Sequence, residues 1–163
     1  MDLKSVIANA GLWDHGATAA GARRWVCAEG RNFLRLKASQ VSGIENAVAR
    51  ATTGPEYVGR LNTFLRETVK RQKQRSIWRT EVAGKTLLQL FWQGLSEALR
   101  AAERNKTPEN AAFNSCCEWL NQNTPDATQS LREARQLAIA REYVCVLVKC
   151  HRVGKPCEDG EPT

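Results

Sequence analysis

One stretch, Ile77–Arg104, constrains the fold of this chain more than any other. Its apolar residues recur every three or four positions, which is the spacing of one helical face. The residues of that face are Leu87, Phe91, Leu95, Ala98, Leu99 and Ala102. A second apolar stripe runs beside it through Leu88 and Trp92. Because a helix with two adjoining apolar stripes is covered from more than one side, the stretch predicts the central helix of a bundle.

Helical spacing and helix-boundary residues divide the rest of the chain into further helices. These predicted helices are Asp2–Ala10, Thr18–Lys37, Ser39–Ala51, Pro55–Lys73, Ala111–Asn121 and Pro125–Val153. Thr107 and Thr124 each precede a proline, so we expect them to cap the helices that follow. The polar segment Gln72–Ser76 is expected to form a turn, because the helices on either side must pack together to bury their apolar stripes.

No segment shows sustained alternation of apolar and polar residues between hairpin signals, so the fold class predicted is all-α. With 163 residues, 42% of them hydrophobic, the chain is large enough for a core of its own. We therefore predict a single-domain bundle of about five to seven helices over residues 1–153. How residues 1–53 pack is left open. Residues 154–163, rich in glycine, proline and acids, are predicted to be a disordered tail.

The balance of charge suggests the class of partner. The net charge is +7 and the isoelectric point about 9.3. This favours polyanions, with nucleic acid first and an anionic membrane second. The sequence has no apolar run of about 18 residues and no secretory signal, which predicts a cytoplasmic protein. Its six cysteines are accordingly expected to be reduced. They are Cys27, Cys116, Cys117, Cys145, Cys150 and Cys157.

Residue patterns for catalysis are largely missing from the sequence. The best candidate metal ligands have no zinc-knuckle spacing, so incidental thiols are the favoured interpretation. These candidates are Cys145, Cys150, His151 and Cys157. His15 lies in a glycine-containing turn far from the other histidine, which makes a poor acid–base pair. There is no phosphate-binding loop, dinucleotide fingerprint or nucleophile elbow. We predict no enzyme activity, no metal and no cofactor.

The strongest functional signal is a basic run just before the stretch Ile77–Arg104. Six basic residues lie between positions 66 and 79, against one acid, Glu67. They are Arg66, Lys70, Arg71, Lys73, Arg75 and Arg79. Clustered lysine and arginine bind phosphates by releasing counterions, and arginine adds bidentate contacts. The run therefore predicts a nucleic-acid-binding surface, although a solvated helix face is the alternative.

An aromatic residue and a second group of arginines could extend this surface. Trp78 could stack on an unpaired base, but a position in the core is the favoured interpretation. The predicted helix Thr18–Lys37 has one acid and several basic residues on its polar side. Its candidate site residues are Arg23, Arg24, Arg31 and Arg35. Whether they join the basic run is left open.

From about residue 80 to residue 153, the order of features resembles the small-subunit family of type III CRISPR effector complexes. The resemblance is carried by Leu87–Leu99, by Cys117–Leu120 after a Lys-Thr-Pro-Glu junction, and by Ala134–Arg152. In addition, Tyr57–Lys73 is similar to the arginine-rich helix of the sister small-subunit family. The resemblance implies an all-helical, basic subunit without catalytic residues.

The resemblance also implies partners. Family members stack as a filament with other effector-complex subunits and brace the guide RNA and its target strand, in antiviral defence. Backbone-and-shape binding of this kind needs positive charge and no base-reading code. Two alternatives remain. One is a helical DNA-binding regulator, for which Gln72–Ser76 is the only candidate turn and lacks glycine. The other is a protein–protein adaptor. RNA versus DNA and the copy number are left open.

Overall fold

A computed structural model describes residues 15–28, 31–104 and 106–154 of the chain. In these ranges there are six α-helices and one two-stranded hairpin, which confirms the predicted all-α bundle. The helices are α1 (His15–Ala28), α2 (Ala38–Val48), α3 (Gly54–Gln72), α4 (Leu87–Arg104), α5 (Pro108–Asn123) and α6 (Ala127–Val153). The predicted helix Asp2–Ala10 and the tail from residue 155 onward lie outside the described residues.

Side-chain capping fixes where two of the helices begin. The Thr107 hydroxyl accepts a hydrogen bond from the Asn110 amide at 3.2 Å, which confirms the predicted cap of α5. Thr53 caps α3 in the same way, and the Glu56 carboxylate accepts a bond from the Thr52 amide at 3.0 Å. The predicted cap at Thr124 is wrong. Helix α6 begins two residues beyond Pro125, after Asp126, which makes no side-chain capping bond.

The long central helix of the bundle is α6, with 27 residues, and not the stretch Ile77–Arg104. All five other helices pack against α6. Its buried residues include Leu137, Ala140, Tyr143, Val144, Leu147 and Val148. Helix α4 packs mainly against α6, α1 and the turn that precedes it, so its two apolar stripes are both used.

The predicted helix Ile77–Arg104 is wrong over its first ten residues. Residues 77–79 form a 3-10 turn, and β1 (Glu81–Val82) pairs antiparallel with β2 (Lys85–Thr86). The two loop residues, Ala83 and Gly84, have φ values of 53° and 83°. Positive φ at both loop positions is the geometry of a tight hairpin and is incompatible with a continuous helix. The helical spacing thus begins only at Leu87.

The predicted helix Thr18–Lys37 is also divided. Helix α1 ends at Ala28, and Arg31–Arg35 forms a separate 3-10 helix. Phe33 and Leu36 of this segment are buried. The segment therefore belongs to the core on one side while Arg35 remains exposed on the other.

Four buried aromatic rings contact one another in a closed cycle within the core. We call Trp25, Phe33, Trp78 and Phe91 the aromatic cluster; successive ring centroids are 5.6 to 6.2 Å apart, all edge-to-face. Such pairs contribute about 0.5–1.5 kcal/mol each beyond the area that they bury. The Trp25 indole N–H also donates to the Leu90 carbonyl at 3.0 Å. The cluster joins α1, α4 and the 3-10 segments Arg31–Arg35 and Ile77–Arg79.

The cysteines differ in redox state. Cys116, Cys117, Cys145 and Cys150 are reduced, as expected. Cys27 is disulfide-bonded, so the expectation of reduced thiols is wrong there. Cys157 lies outside the described residues. Three of the four candidate zinc ligands can be located, and the described part of the chain holds no group of three or more residues able to bind a metal ion.

Candidate nucleic-acid interface

An open groove of about 710 Å³ lies between the start of α2 and the end of α3. We call it the basic groove. Its lining residues are Arg35, Lys37, Ser39, Gln40, Gly43, Phe64, Thr68, Arg71, Gln72, Arg75 and Ile77. Four of these side chains are cationic, and none of the described lining residues is acidic. The groove therefore concentrates positive charge between low-dielectric walls, which strengthens attraction for an anion.

One wall of the basic groove comes from the segment that leads into α2. Burial of Phe33 and Leu36 fixes this segment against the core, and Arg35 between them is exposed. Arg35 donates a hydrogen bond to the Asn32 side chain at 3.2 Å, which orients the guanidinium. Lys37 follows at the helix start, where its backbone N–H donates to the Gln40 side chain at 2.9 Å. The positive end of the α2 dipole lies at the same wall.

The opposite wall comes from the end of α3 and the turn after it. Arg71 lies in the last helical turn, and Arg75 ends the 3-10 turn Lys73–Arg75. This confirms the turn predicted for Gln72–Ser76. The chain changes direction at Lys73, whose φ of 53° ends the helix. Burial of Trp78 then anchors the turn to the aromatic cluster.

The basic run is divided between two faces of the protein. All six of its basic residues are exposed, but only Arg71 and Arg75 line the basic groove. Arg66 lies about 140° around the helix axis from Arg71. Arg66 and Lys70 share that other side of α3. Lys73 and Arg79 are exposed at the turns and do not line the groove.

Trp78 is not available as a stacking platform. Its side chain is only 1% exposed and packs against Phe33 and Phe91. The core position favoured from the sequence is therefore correct, and Trp78 is removed from the candidate binding residues. Its role at the site is indirect, because it holds the turn that carries Arg75.

The arginines of the predicted helix Thr18–Lys37 do not act as one group. Arg35 joins the basic groove. Arg24 lines a different cavity of about 390 Å³ between α1 and α4, where Glu97 is also present. Arg23 is half-buried and lines neither space. The side chain of Arg31 lies outside the described part of the structure.

Sequence reasoning missed most of the groove lining, including Lys37, Phe64 and Gln72. Phe64 is half-buried and lines the groove beside Gly43. The Gln72 Oε1 atom is buried without a hydrogen-bond partner, and so is the nearby Ser76 hydroxyl. Lys37 could have been found from its position two residues after Arg35. Phe64 carried no such signal, because its place beside an apolar stripe equally suits a core residue.

One further arginine is buried and has a structural role. Arg135 is 4% exposed, lies 4.2 Å from the Phe113 ring centroid and donates to the Asn110 side chain. Burial lowers the pKa of Arg135, although nearby Glu103 opposes this. The cation–π contact and the hydrogen bond tie α5 to α6.

Among the described residues, no helix is both long and apolar enough to cross a membrane.

Comparison with known proteins gives no relative from which a role for the basic groove could be taken. No family model, curated protein or solved structure matches this chain. The resemblance to CRISPR small subunits therefore stays a prediction.

Proposed function

We propose that the protein is a non-catalytic, nucleic-acid-binding structural subunit that holds a strand through phosphate contacts in the basic groove. The observation that carries this proposal is the convergence of Arg35, Lys37, Arg71 and Arg75 from two separate stretches of chain. Arginine and lysine side chains at one groove release counterions from a phosphate backbone, which gives affinity without reading sequence. Together with the helical bundle, this supports a binding role.

The setting that we propose for this subunit is a CRISPR effector ribonucleoprotein complex in the cytoplasm. There it would contact guide RNA or the target strand, associate with other subunits and stack with further copies of itself. This part rests on the sequence resemblance alone. Purification of the tagged protein from its source, followed by sequencing of bound RNA and identification of bound proteins, tests it. Guide RNA and effector subunits are expected; their absence would restrict the proposal to nucleic-acid binding.

A DNA-binding regulator is the weaker alternative. A helix–turn–helix protein needs a second helix directly after a short turn. The turn after α3 is instead followed by another 3-10 turn and the hairpin β1–β2. The candidate turn that the sequence suggested therefore does not lead into a recognition helix.

The groove assignment is tested with two matched double variants, Arg71→Ala/Arg75→Ala and Arg66→Ala/Lys70→Ala. Each removes two exposed cations, the first pair from the basic groove and the second from another side of α3. Binding to a labelled RNA is measured by fluorescence anisotropy over a series of salt concentrations. The groove variant is expected to lose roughly tenfold or more in affinity and to reduce the salt slope by about 1.4 to 2. The control is expected to change both much less.

The outcomes of this test separate the candidate functions. Equal losses for the two variants would mean diffuse attraction by the whole basic surface and no specific groove. A strong preference of the wild type for one duplex over random duplex would favour a regulator. If the wild type bound no polynucleotide even at low salt, the nucleic-acid proposal would fail and the basic groove would instead suit an acidic protein partner.

A further inference from the structure

The basic groove contains an aromatic side chain as well as cations. Phe64 lines it from the middle of α3 and packs against the hydrophobic core, but the residue is only half-buried and so remains partly accessible. The ring lies against Gly43 of α2. A Cβ atom at Gly43 would come within 2.6 Å of the Phe64 Cζ atom. The missing side chain at Gly43 thus makes room for the ring at this place.

We propose that the basic groove binds an unpaired strand, with phosphates at Arg35, Arg71 and Arg75 and a base against Phe64. This inference rests on the proposed function and adds the state of the strand. Aromatic rings hold single strands because every unpaired base offers a π-face. In a duplex the bases are stacked on one another and only phosphates and groove edges are exposed, so the ring of Phe64 has no base face to contact.

The size and polarity of the groove suit a nucleotide. Its volume of about 710 Å³ lies within the roughly 300–1,000 Å³ of small-molecule sites. Cations lie on both walls, and Phe64 and Ile77 add apolar surface to the lining. The unpartnered Gln72 Oε1 atom is an acceptor at the same wall as Arg71. A donor on a bound base, such as an amino group, would satisfy this acceptor only if the Gln72 side chain turned its buried Oε1 atom into the groove.

The test uses three oligonucleotides that differ in whether an unpaired base is available. A labelled single strand is compared with an abasic strand of the same length and charge, and with a duplex. Wild-type protein is expected to bind the normal strand roughly tenfold more tightly than the abasic strand. The variant Phe64→Leu keeps apolar volume but has no aromatic face. It is expected to bind both strands with the abasic affinity and with an unchanged salt slope, because no phosphate contact is removed.

A second variant guards against misfolding as the explanation. Gly43→Ala retains Phe64 and favours helix α2 by about the Gly-to-Ala propensity difference, but its new Cβ displaces the ring. It is expected to weaken binding of the normal strand alone, by less than Phe64→Leu does. Circular dichroism and denaturant unfolding check that both variants are folded.

The possible results distinguish this inference from the proposed function. If wild type binds normal and abasic strands equally, or binds duplex at least as tightly as single strand, the stacking inference is wrong and the phosphate groove stands. If wild type binds neither strand nor duplex, the proposed function itself fails. Loss of normal-strand affinity in both variants, with abasic binding preserved, supports the inference.

Discussion

The aromatic cluster and the basic groove share two short segments of the chain, which they use in opposite ways. The segment before α2 buries Phe33 in the cluster and exposes Arg35 in the groove. The segment after α3 buries Trp78 and exposes Arg75. Phe33 and Trp78 are in edge-to-face contact at 6.2 Å. One ring contact in the core therefore ties together the segments that carry cations of both groove walls.

The comparison separates what stabilises the fold from what binds. Rings in the cluster exclude water and contribute to folding. Cations in the groove stay exposed, and like charges around one groove repel each other at low salt. The groove cations therefore contribute no stabilisation to the fold until an anion neutralises them. A site whose charges oppose stability is the expected compromise at a functional surface.

Trp78→Ala is expected to have the largest effect of any single change considered. Removal of a fully buried aromatic side chain should lower the free energy of unfolding by about 3–5 kcal/mol. Denaturant unfolding followed by circular dichroism measures this. Nucleic-acid affinity should also fall, because Arg75 loses the anchor of its turn. Trp78→Phe, which keeps a ring, should lose less of both.

A different outcome for these variants would break the comparison. If Trp78→Ala unfolded like the wild type, Trp78 would not stabilise the fold and the contrast between the cluster and the groove would fail. The 1% exposure of its side chain argues against this.

His151→Ala should have the next largest effect, since His151 contacts the segment before α2 that carries Arg35. The His151 Nε2 atom lies 2.6 Å from the Leu36 carbonyl oxygen, and the ring is edge-on to Phe33 at 5.8 Å. Loss of the partner of Leu36 should lower the free energy of unfolding by about 1–3 kcal/mol. His151→Phe keeps the ring contact and isolates the hydrogen bond. Equal unfolding energies for the two variants would mean that the ring contact contributes nothing.

Sequence reasoning found the helices more reliably than the places where the chain is irregular. The end of α3 and the cap at Thr107 were predictable because they depend on neighbours in sequence. The hairpin before α4 was missed, since Ala83 at positive φ is a rare choice and only Gly84 marked the turn. Helix propensity therefore extended the predicted helix over residues 77–86, which turn geometry and tertiary contacts hold in a 3-10 turn and a hairpin.

The candidate site was predictable in its charge and not in its geometry. Counting lysines and arginines identified the basic run, but α-helical rotation sends Arg66 and Arg71 to different sides. Arg35 and Arg71 are far apart in sequence, and nothing local indicated that they share a groove. The position of Phe64 beside Gly43 also depends on how α2 packs on α3. Such juxtapositions belong to tertiary structure.

Tyr57 offers a smaller test, by pH. Burial raises the pKa of the Tyr57 phenol above its usual range, with Arg141 opposing the shift. The neutral form therefore stabilises the fold below about pH 10, and this contribution is lost as pH rises above the unfolded-state pKa. Unfolding free energies between pH 9 and 11 should fall by up to about 1.4 kcal/mol per pH unit more steeply in wild type than in Tyr57→Phe. Identical slopes would show that Tyr57 ionises as easily in the folded state.

Ala83→Asn is expected to have the smallest effect and to raise stability. Ala83 holds a φ of 53° in the hairpin loop, a conformation that asparagine tolerates better than alanine. The free energy of unfolding should rise by up to about 1 kcal/mol. The matched change Gly84→Ala should lower it by a similar amount, because alanine is strained at a φ of 83°. The new Cβ meets no atom within 4 Å, so backbone strain is the whole effect. Neither residue lines the basic groove, so the affinity for RNA should stay at the wild-type value in both variants. A change in affinity that followed stability across this pair would mean that the groove depends on global stability and not on its anchors.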